Sequence, residues 1–378
     1  MRVRDVILIL IIIVAGLSMQ SVISLKEKGF PIMFDIKGKP NRFVETKEID
    51  FPMGCAMKVK NSHGNVTLSP WDRETVHVQL EKVIYADDEK RAEEISKQII
   101  LNLEKRDKEA VISTNRDELY LRPISVQTNL TIHAPKQSAS SITCSHGDVM
   151  VHGMEGASEV KSRHSDLEMK NVSGDVTINM EHGDAILDSI TGNIIADSRH
   201  GKLEFNNIIG TLALQAEHDS VQILHVARNL SIKSRHTELL LTDVGGDIEI
   251  DSEHTEIGGS HINGNAMIKN SYKDVELSEV TGTLRIDTRH CDVQVERAVS
   301  NSDIIAEYGD VTLRIPGGLN FSVDLAADYG DIESDFEELK PSHEKVTSRL
   351  IARIGSGGPT YTVRTRYNDI YLQKISYN

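Results

Sequence analysis

Residues 200–217, 218–235 and 236–253 read HGKLEFNNIIGTLALQAE, HDSVQILHVARNLSIKSR and HTELLLTDVGGDIEIDSE. Each segment begins with histidine, and the same 18-residue spacing continues on both sides of these three segments. The residues of the whole series are His146, His164, His182, His200, His218, His236, His254, Tyr272, His290 and Tyr308. A fixed period of this size is the signature of a repeat architecture, in which each unit contacts only its neighbours.

Apolar residues within each unit indicate two short strands. Counted from the aromatic residue, apolar side chains recur three and five places later and again twelve and fourteen places later, as at Leu203 with Phe205 and Leu212 with Leu214. A spacing of two is that of a strand with one buried face. Because such a small unit buries that face only by stacking on its neighbours, the pattern predicts an all-β fold, a parallel β-solenoid with 18-residue rungs.

A glycine column marks one of the two predicted corners. It consists of Gly156, Gly174, Gly192, Gly210, Gly246, Gly264 and Gly282. Glycine adopts positive φ without steric penalty, so we expect these residues to turn the chain in the left-handed region.

Alternating charges fix the length of one turn. The residue before the aromatic alternates in sign along Arg163, Glu181, Arg199, Glu217, Arg235 and Glu253. If one turn has 18 residues, each arginine lies between two glutamates, and each opposite pair contributes roughly 0.2–1 kcal/mol. A turn of 36 residues would stack like charges, so the sequence favours 18.

The chain divides into five predicted parts. These are 1–29, a membrane anchor or signal segment; 30–53, a tether; 54–140, the N-terminal rungs; 141–336, the regular repeats; and 337–378, a loop excursion followed by a closing rung. Residues 87–106 have apolar side chains at helical spacing and predict one capping helix. Residues 335–358 are polar and end in a glycine-rich stretch, which predicts a loop.

Residues 6–25 read VILILIIIVAGLSMQSVISL, about the ~20 apolar residues that a membrane-spanning helix needs. Arg2 and Arg4 precede this run and favour a cytoplasmic N-terminus. The segment predicts one N-terminal transmembrane helix, so that the membrane is the first expected partner. Its second half contains several serines, which leaves a cleaved signal peptide open. Both alternatives export the solenoid to the periplasm or the cell exterior.

Charge and cysteine content exclude other classes. The formal net charge of −15 argues against a nucleic-acid partner, since phosphate binding needs a basic face. Cys55, Cys144 and Cys291 are too scattered for a disulfide framework, so we expect them to be free. No motif indicates a cofactor, and we expect none.

These features together resemble the bacterial putative-adhesin family of β-strand-repeat proteins over about residues 44–375. The resemblance rests on the stretch GNVTLSPWD at 64–72, the following helix, Ala134-Pro135, Gly-Asp-Val units at 147–149 and 309–311, and Asn-Asp-Ile at 368–370. It implies an envelope-exposed solenoid and supplies no catalytic residues. This chain departs from the family in placing histidine at the corner.

The histidine series gives the candidate site. The metal-ligand candidates are His164, His182, His200, His218, His236 and His254. Stacked neutral imidazoles could bind Zn²⁺, and protonation near pH 6.5 would stack like charges and loosen the rod. The competing interpretation is a structural stack, because Tyr272, Tyr308 and Tyr367 take equivalent places and tyrosine is a poor zinc ligand. Acidic residues two places after the aromatic, such as Asp148, favour turn chemistry over a Ca²⁺ site.

The function predicted from sequence is that of a membrane-anchored envelope solenoid acting as a structural or adhesin-like binding protein, whose partner is an unidentified envelope or surface ligand. The alternative is a metal- or pH-responsive envelope protein that uses the stacked histidines. We predict that the chain is not an enzyme, because a motif repeated on most rungs is scaffold, whereas catalysis needs a unique constellation. A carbohydrate-cleaving solenoid is the least favoured class, since the strict spacing leaves no room for cleft-forming loops.

Overall fold

The computed structural model describes residues 38–52, 54–122 and 124–376. The predicted transmembrane helix at 6–25, within the part assigned to 1–29, lies outside the described residues. Within the described ranges, no helix has the length and apolar character required to cross a bilayer.

The chain forms strands almost throughout. The strands are β1 Pro40–Asp50, β2 Ala56–Asn61, β3 Val66–Trp71, β4 Thr75–Tyr85, β5 Leu101–Arg106, β6 Glu109–Thr114, β7 Ser125–Pro135, β8 Ala139–His146, β9 Val149–His152, β10 Ser158–His164, β11 Leu167–Ser173, β12 Val176–His182, β13 Ala185–Thr191, β14 Ile194–Arg199, β15 Lys202–Ile209, β16 Leu212–Glu217, β17 Ser220–Val226, β18 Leu230–Arg235, β19 Glu238–Val244, β20 Ile248–Glu253, β21 Glu256–Ile262, β22 Ala266–Ser271, β23 Val275–Val280, β24 Leu284–Arg289, β25 Val293–Glu296, β26 Ser302–Glu307, β27 Val311–Pro316, β28 Phe321–Asp328, β29 Ile332–Ser334, β30 Ser342–Glu344, β31 Thr347–Ile354, β32 Thr360–Arg366 and β33 Ile370–Ile375. The helix α1 spans Glu89–Gln98, and a 3₁₀ turn spans Arg116–Glu118.

Two sheets run side by side along the rod. The first sheet has the order β1-β4-β7-β3-β9-β11-β13-β15-β17-β19-β21-β23-β25-β27-β33-β29. The second has the order β5-β6-β2-β8-β10-β12-β14-β16-β18-β20-β22-β24-β26-β32-β28-β31-β30. Strands in the regular repeats are parallel, and Leu212 lies opposite Leu230, 18 residues later. This confirms the predicted parallel β-solenoid, which has about ten turns.

The core lies between the two sheets. Inward positions such as Leu203, Phe205, Leu212 and Leu214 are at most 2% exposed. Each removes its side chain from water by contact with the rungs above and below, worth ~1.5–3 kcal/mol per large apolar residue. The period of two in the sequence therefore corresponds to the inner faces of both sheets.

The glycine column has the predicted positive φ at only some of its positions. Gly174 and Gly192 have φ of 148° and 155°, whereas Gly210 and Gly282 do not have φ in the left-handed range. A Cβ on Gly210 or Gly282 would lie less than 3.0 Å from the carbonyl oxygen of the glycine one rung earlier. At Gly210 and Gly282 the close approach of the preceding rung therefore favours glycine, whereas Arg228 and Ser300 stand at the equivalent positions of other rungs.

Other residues turn the chain with left-handed backbone. Along the repeats from His200 onward, the aromatic residues themselves have φ between 52° and 72°. A second set, the left-handed column, has φ between 54° and 64° and consists of Asn171, Ser189, Asn207, His225, Asp243, His261, Glu279 and Arg297. It bends the first-sheet strands, since Lys170 pairs with Asp188 and Val172 with Ile190 on either side of it. Histidine and asparagine tolerate this conformation better than most residues, although it remains uncommon.

The capping helix is shorter than predicted. It ends at Gln98 instead of residue 106, because residues 101–106 form β5, which pairs in antiparallel fashion with β6. The carboxylate of Asp88 accepts the Lys90 N–H at 3.0 Å and begins the helix. Lys82 donates from Nζ to the carbonyl of Ser96 at 3.1 Å and ties α1 to β4.

The polar excursion near the C-terminus is also more ordered than predicted. Residues 335–358 were expected to be a loop, but they include β30 and β31. β31 pairs in antiparallel fashion with β28, and it buries Ser348 and Leu350 on alternate positions. The sequence does not show this alternation of buried and exposed residues, because the positions between the buried residues carry both charged and apolar side chains.

Both ends of the rod insert a rung out of chain order. At the N-terminal end, β2 lies between β6 and β8, and β3 lies between β7 and β9. At the C-terminal end, β32 lies between β26 and β28, and β33 lies between β27 and β29. The first and last rung motifs in the sequence thus join the solenoid, each inside the end of the rod and not at its outermost edge.

Candidate functional site

The predicted aromatic series forms one continuous exposed stack, the aromatic column. In spatial order its members are His63, His146, His164, His182, His200, His218, His236, His254, Tyr272, His290, Tyr308, Tyr367 and Tyr329. Neighbouring ring centroids are 4.5–5.4 Å apart. All six metal-ligand candidates, His164 to His254, are therefore neighbours in one run.

From His146 onward the rings within the column are close to parallel, whereas the ring of His63 is tilted by 53° to that of His146. The planes of His164 and His182 differ by 1°, with centroids 4.9 Å apart, and those of His236 and His254 differ by 7° at 4.7 Å. This spacing equals the distance of ~4.8 Å between hydrogen-bonded strands. Each ring consequently presents its edge to solvent and its faces to the adjacent rungs.

The N-terminal end of the column is the most perturbed electrostatically. Burial, followed by repulsion from the Arg116 guanidinium and from His146, lowers the pKa of His63 to about 4. Burial and the neighbouring His164 lower the pKa of His146 as well. Both imidazoles are thus held neutral near pH 7, and protonating either one opposes the folded arrangement.

The ring geometry bears on metal binding. In the described part of the chain, no three His, Cys, Asp or Glu side chains converge closely enough to hold a metal ion. An imidazole binds zinc in its ring plane at ~2.0–2.1 Å, whereas parallel rings direct their nitrogen lone pairs side by side instead of toward one point. The geometry favours the structural stack, and zinc binding at His164 to His254 stays a prediction.

A charged column flanks the aromatic column. Arg163 contacts Glu181 at 2.8 Å, and the equivalent pairs Arg199–Glu217 and Arg235–Glu253 are both 3.4 Å. The strand register places Arg235 between Glu217 and Glu253, as expected. Each of these arginines nevertheless forms its ion pair with the glutamate of the following rung. These pairs are exposed and contribute at most about 1 kcal/mol each.

The acidic residues two places after the aromatic residue form a series of hydrogen bonds, in which a carboxylate accepts a backbone N–H of the next rung. Asp166 accepts the Asp184 N–H at 2.9 Å, and Asp292 accepts the Asp310 N–H at 2.9 Å. Burial raises the pKa of Asp148 and Asp166. One oxygen of each carboxylate is committed to the next rung, which supports the turn interpretation over a calcium site.

Two side-chain columns were missed by the sequence reasoning. In the left-handed column, His225 Nδ1 lies 2.7 Å from Asp243 Oδ2, and His261 Nε2 lies 2.7 Å from Glu279 Oε2. At the glycine corner, Asp175, Asn193 and their equivalents form a second chain in which each side chain accepts the N–H of the next rung. Both columns recur every 18 residues, so the same period that located the histidines could have located them.

The three cysteines Cys55, Cys144 and Cys291 are buried and free, as predicted. Burial raises the pKa of the Cys144 and Cys291 thiols. Neither thiol therefore has the thiolate character of a reactive cysteine.

A family model described as Toastrack DUF4097 matches residues 55–373. The chain belongs to the Toastrack family. This agrees with the adhesin-like resemblance of the repeats and with the solenoid that carries the aromatic column. The search of curated proteins gives no match for this Toastrack chain.

Two solved structures are similar to the Toastrack solenoid at low identity. A putative cell adhesion protein from Clostridium sporogenes is 7% identical with a TM-score of 0.19, covering 89% of this chain and 100% of that chain. A putative adhesin from Bacteroides fragilis is 12% identical with a TM-score of 0.28, covering 88% of this chain and 97% of that chain. At these TM-scores the likeness carries no argument about function.

Proposed function

We propose that this Toastrack protein is an exported, membrane-tethered binding protein of the cell envelope, and that it does not act by catalysis. The observation that carries the proposal is the surface built from repeated columns, above all the aromatic column from His63 to Tyr329. A rod that presents the same side chains on every rung suits contact with an extended surface, whereas catalysis needs one unique cluster. The apolar run at 6–25 supplies the tether.

The tether gives the first prediction. The full-length chain is expected in the membrane fraction, with its C-terminus cleaved by protease added to cells whose outer barrier has been opened. Replacing both Ile12 and Ile13 with arginine should abolish membrane insertion, since each charge at a helix centre costs ~2.5–3.5 kcal/mol. Val44→Arg is the matched control, because Val44 is 61% exposed in β1 and should leave the fractionation unchanged.

Recovery of the unmodified protein in the cytosolic fraction, protected from external protease, would contradict this proposal. Membrane association that persists in the Ile12→Arg, Ile13→Arg variant would instead remove residues 6–25 as the tether.

A second candidate function is a pH response, and the unbroken histidine run from His63 to His254 favours it. The pKa of His63 is lowered to about 4 and that of His146 is lowered as well. For such groups the unfolded chain binds more protons than the folded chain below pH ~6.5. Their contribution to stability is present above pH ~6.5 and is lost as the pH falls toward about 4.

The corresponding prediction is a urea midpoint that is lower at pH 5.0 than at pH 7.5. After allowance for solvent exposure, His63 should account for about 1 kcal/mol of the change. His63→Asn should reduce the difference between the two pH values. His290→Asn should not, because His290 stacks between Tyr272 and Tyr308 and has no imidazole neighbour.

Comparison of the two variants isolates the histidine contribution from that of the carboxylates. The raised pKa of Asp148 and Asp166 acts in the opposite direction, stabilising the fold as the pH falls. Equal midpoints at pH 7.5 and 5.0, unchanged in His63→Asn, would remove the pH-responsive function.

A further inference from the structure

A long groove runs along the outer face of the second sheet, beside the glycine corner. Its volume is about 890 Å³. One wall is the corner column Thr211, Asn229, Asp247, Asn265, Thr283, Asn301 and Thr360, and the floor carries the outward side chains Ala213, Ser231, Glu249, Met267, Arg285, Asp303 and Thr362. The groove lies outside the aromatic column and follows the rod axis.

Backbone contacts hold the corner column in a fixed arrangement. Asn229 accepts the Asp247 N–H at 3.2 Å, and Asn265 accepts the Thr283 N–H at 3.0 Å, each through Oδ1. Asn301 accepts the Thr360 N–H at 2.9 Å in the same way. Because the side-chain oxygens are occupied, each asparagine is oriented before any ligand arrives.

The remaining hydrogen-bonding groups are available to a ligand. Within the described ranges, the amide nitrogens of Asn229 and Asn301 donate no hydrogen bond, although a carboxamide has two N–H donors. Met267 and Ala213 are exposed beside them and offer apolar contact. The groove thus combines oriented polar groups with apolar surface, as ligand sites do.

We propose that this groove binds one extended polysaccharide chain, of the neutral β-1,4-linked kind that carries hydroxyl and acetamido groups. The proposal rests on the proposed function, since export is what would bring the groove to envelope glycans. The spacing argues for it: the rungs repeat every ~4.8 Å, and a pyranose unit in an extended β-1,4 chain has a similar length. Successive units of such a chain alternate in facing, so the same face recurs once every two rungs. A peptide strand repeats its side chains on one face every ~6.6–6.8 Å, which matches neither one rung nor two.

The dimensions suit a single chain. The seven wall positions from Thr211 to Thr360 span six steps of ~4.8 Å, or about 29 Å. The volume of about 890 Å³ spread over that length corresponds to a cross-section of about 30 Å². A glycan of about six units would therefore fill the groove from end to end.

The charges favour a neutral glycan over a polyanion. Asp247, Glu249 and Asp303 line the groove against the single arginine Arg285, and the whole chain has a net charge of −15. An acidic polymer would be repelled at the rungs that carry these carboxylates. A neutral chain pays no such penalty and exchanges hydrogen bonds with the carboxamide and hydroxyl groups.

The test is isothermal titration of the full-length protein in detergent with N-acetylchitohexaose. We expect saturable binding, at least ten-fold tighter for the hexamer than for the dimer. Ser231→Trp should fill the groove and weaken binding at least ten-fold, since Ser231 is exposed on its floor. Gln222→Trp is the matched control on the same rung, because Gln222 lies on the other sheet and should leave affinity unchanged.

Three outcomes would overturn the inference: no saturable binding of the hexamer, hexamer affinity unchanged in Ser231→Trp, or tighter binding of an extended hexapeptide than of the glycan. Circular dichroism of both tryptophan variants shows whether they are folded. Failure of export and failure of glycan binding are separate results. A protein that is exported but binds no hexamer loses this inference alone, whereas a cytosolic protein loses the proposed function.

Discussion

Gly282→Ala is expected to destabilise the solenoid by roughly 3 kcal/mol or more. The added Cβ would lie less than 3.0 Å from backbone atoms of Gly264 and Asn265 on the adjacent rung. These are main-chain atoms held at the strand spacing of ~4.8 Å, so relief requires the two rungs to separate. Because each rung is stabilised by its neighbours, one such substitution destabilises the whole stack of rungs. The urea midpoint and the far-ultraviolet circular dichroism of the variant measure the effect.

Gly258→Ala provides the matched control for this substitution. Gly258 also lies in the repeats, but a Cβ there would meet the side-chain atom Cδ1 of Leu240 at 3.2 Å, and φ is ordinary. The leucine end can move by a few tenths of an ångström, so we expect a change within about 1 kcal/mol. If Gly282→Ala were as stable as Gly258→Ala, the close approach of the backbones would not be the reason for the glycine column.

The glycine column shows where sequence reasoning succeeds and where it stops. Its 18-residue spacing was sufficient to place Gly210 and Gly282 at one corner. The expected reason, a positive φ, applies to Gly174 and Gly192 but not to Gly210 and Gly282, where the close contact involves a carbonyl on another rung. The left-handed turns fall instead on histidine, tyrosine and the members of the left-handed column.

The regular repeats were predictable because every rung repeats the same local evidence. The alternation of apolar residues, the charge column and the aromatic column all gave the same register, and the strand pairs follow it. The parts without repetition were less predictable. Ile99 and Leu103 fit a helical period, yet Leu103 pairs with Ile112 in an antiparallel hairpin, and that partner decided the structure.

The order of the terminal rungs also lay beyond the sequence. The rung motifs beginning near residues 329 and 367 are equivalent, so spacing alone cannot say which is outermost. In the structure Tyr367 stacks directly on Tyr308, and Tyr329 follows Tyr367. The site was predicted to the same extent. The stack of rings followed from spacing, whereas the pairing of Arg235 with Glu253 and not with Glu217 is seen only in the structure.

Tyr361→Ala should uncouple the C-terminal end of the rod, with a loss of about 3–5 kcal/mol. Tyr361 is 2% exposed in β32, and its hydroxyl donates to the carbonyl of Ala298 at 2.6 Å. Its ring lies 5.8 Å from that of Phe321 on the neighbouring rung, and burial raises the pKa of its hydroxyl. Tyr361→Phe should cost about 1–2 kcal/mol, since it leaves the Ala298 carbonyl without its donor.

The position of β32 makes this loss cooperative. Because β32 lies between β26 and β28, a cavity at Tyr361 weakens two interfaces at once. Hydrogen exchange should therefore accelerate together in residues 321–375 and remain slow in the repeats before residue 300. Tyr329→Ala is the control, because Tyr329 is 59% exposed at the end of the aromatic column and should change stability by less than about 1 kcal/mol. If hydrogen exchange accelerated uniformly along the whole rod, the solenoid would unfold as one unit, and residues 321–375 would not form a separate unfolding unit.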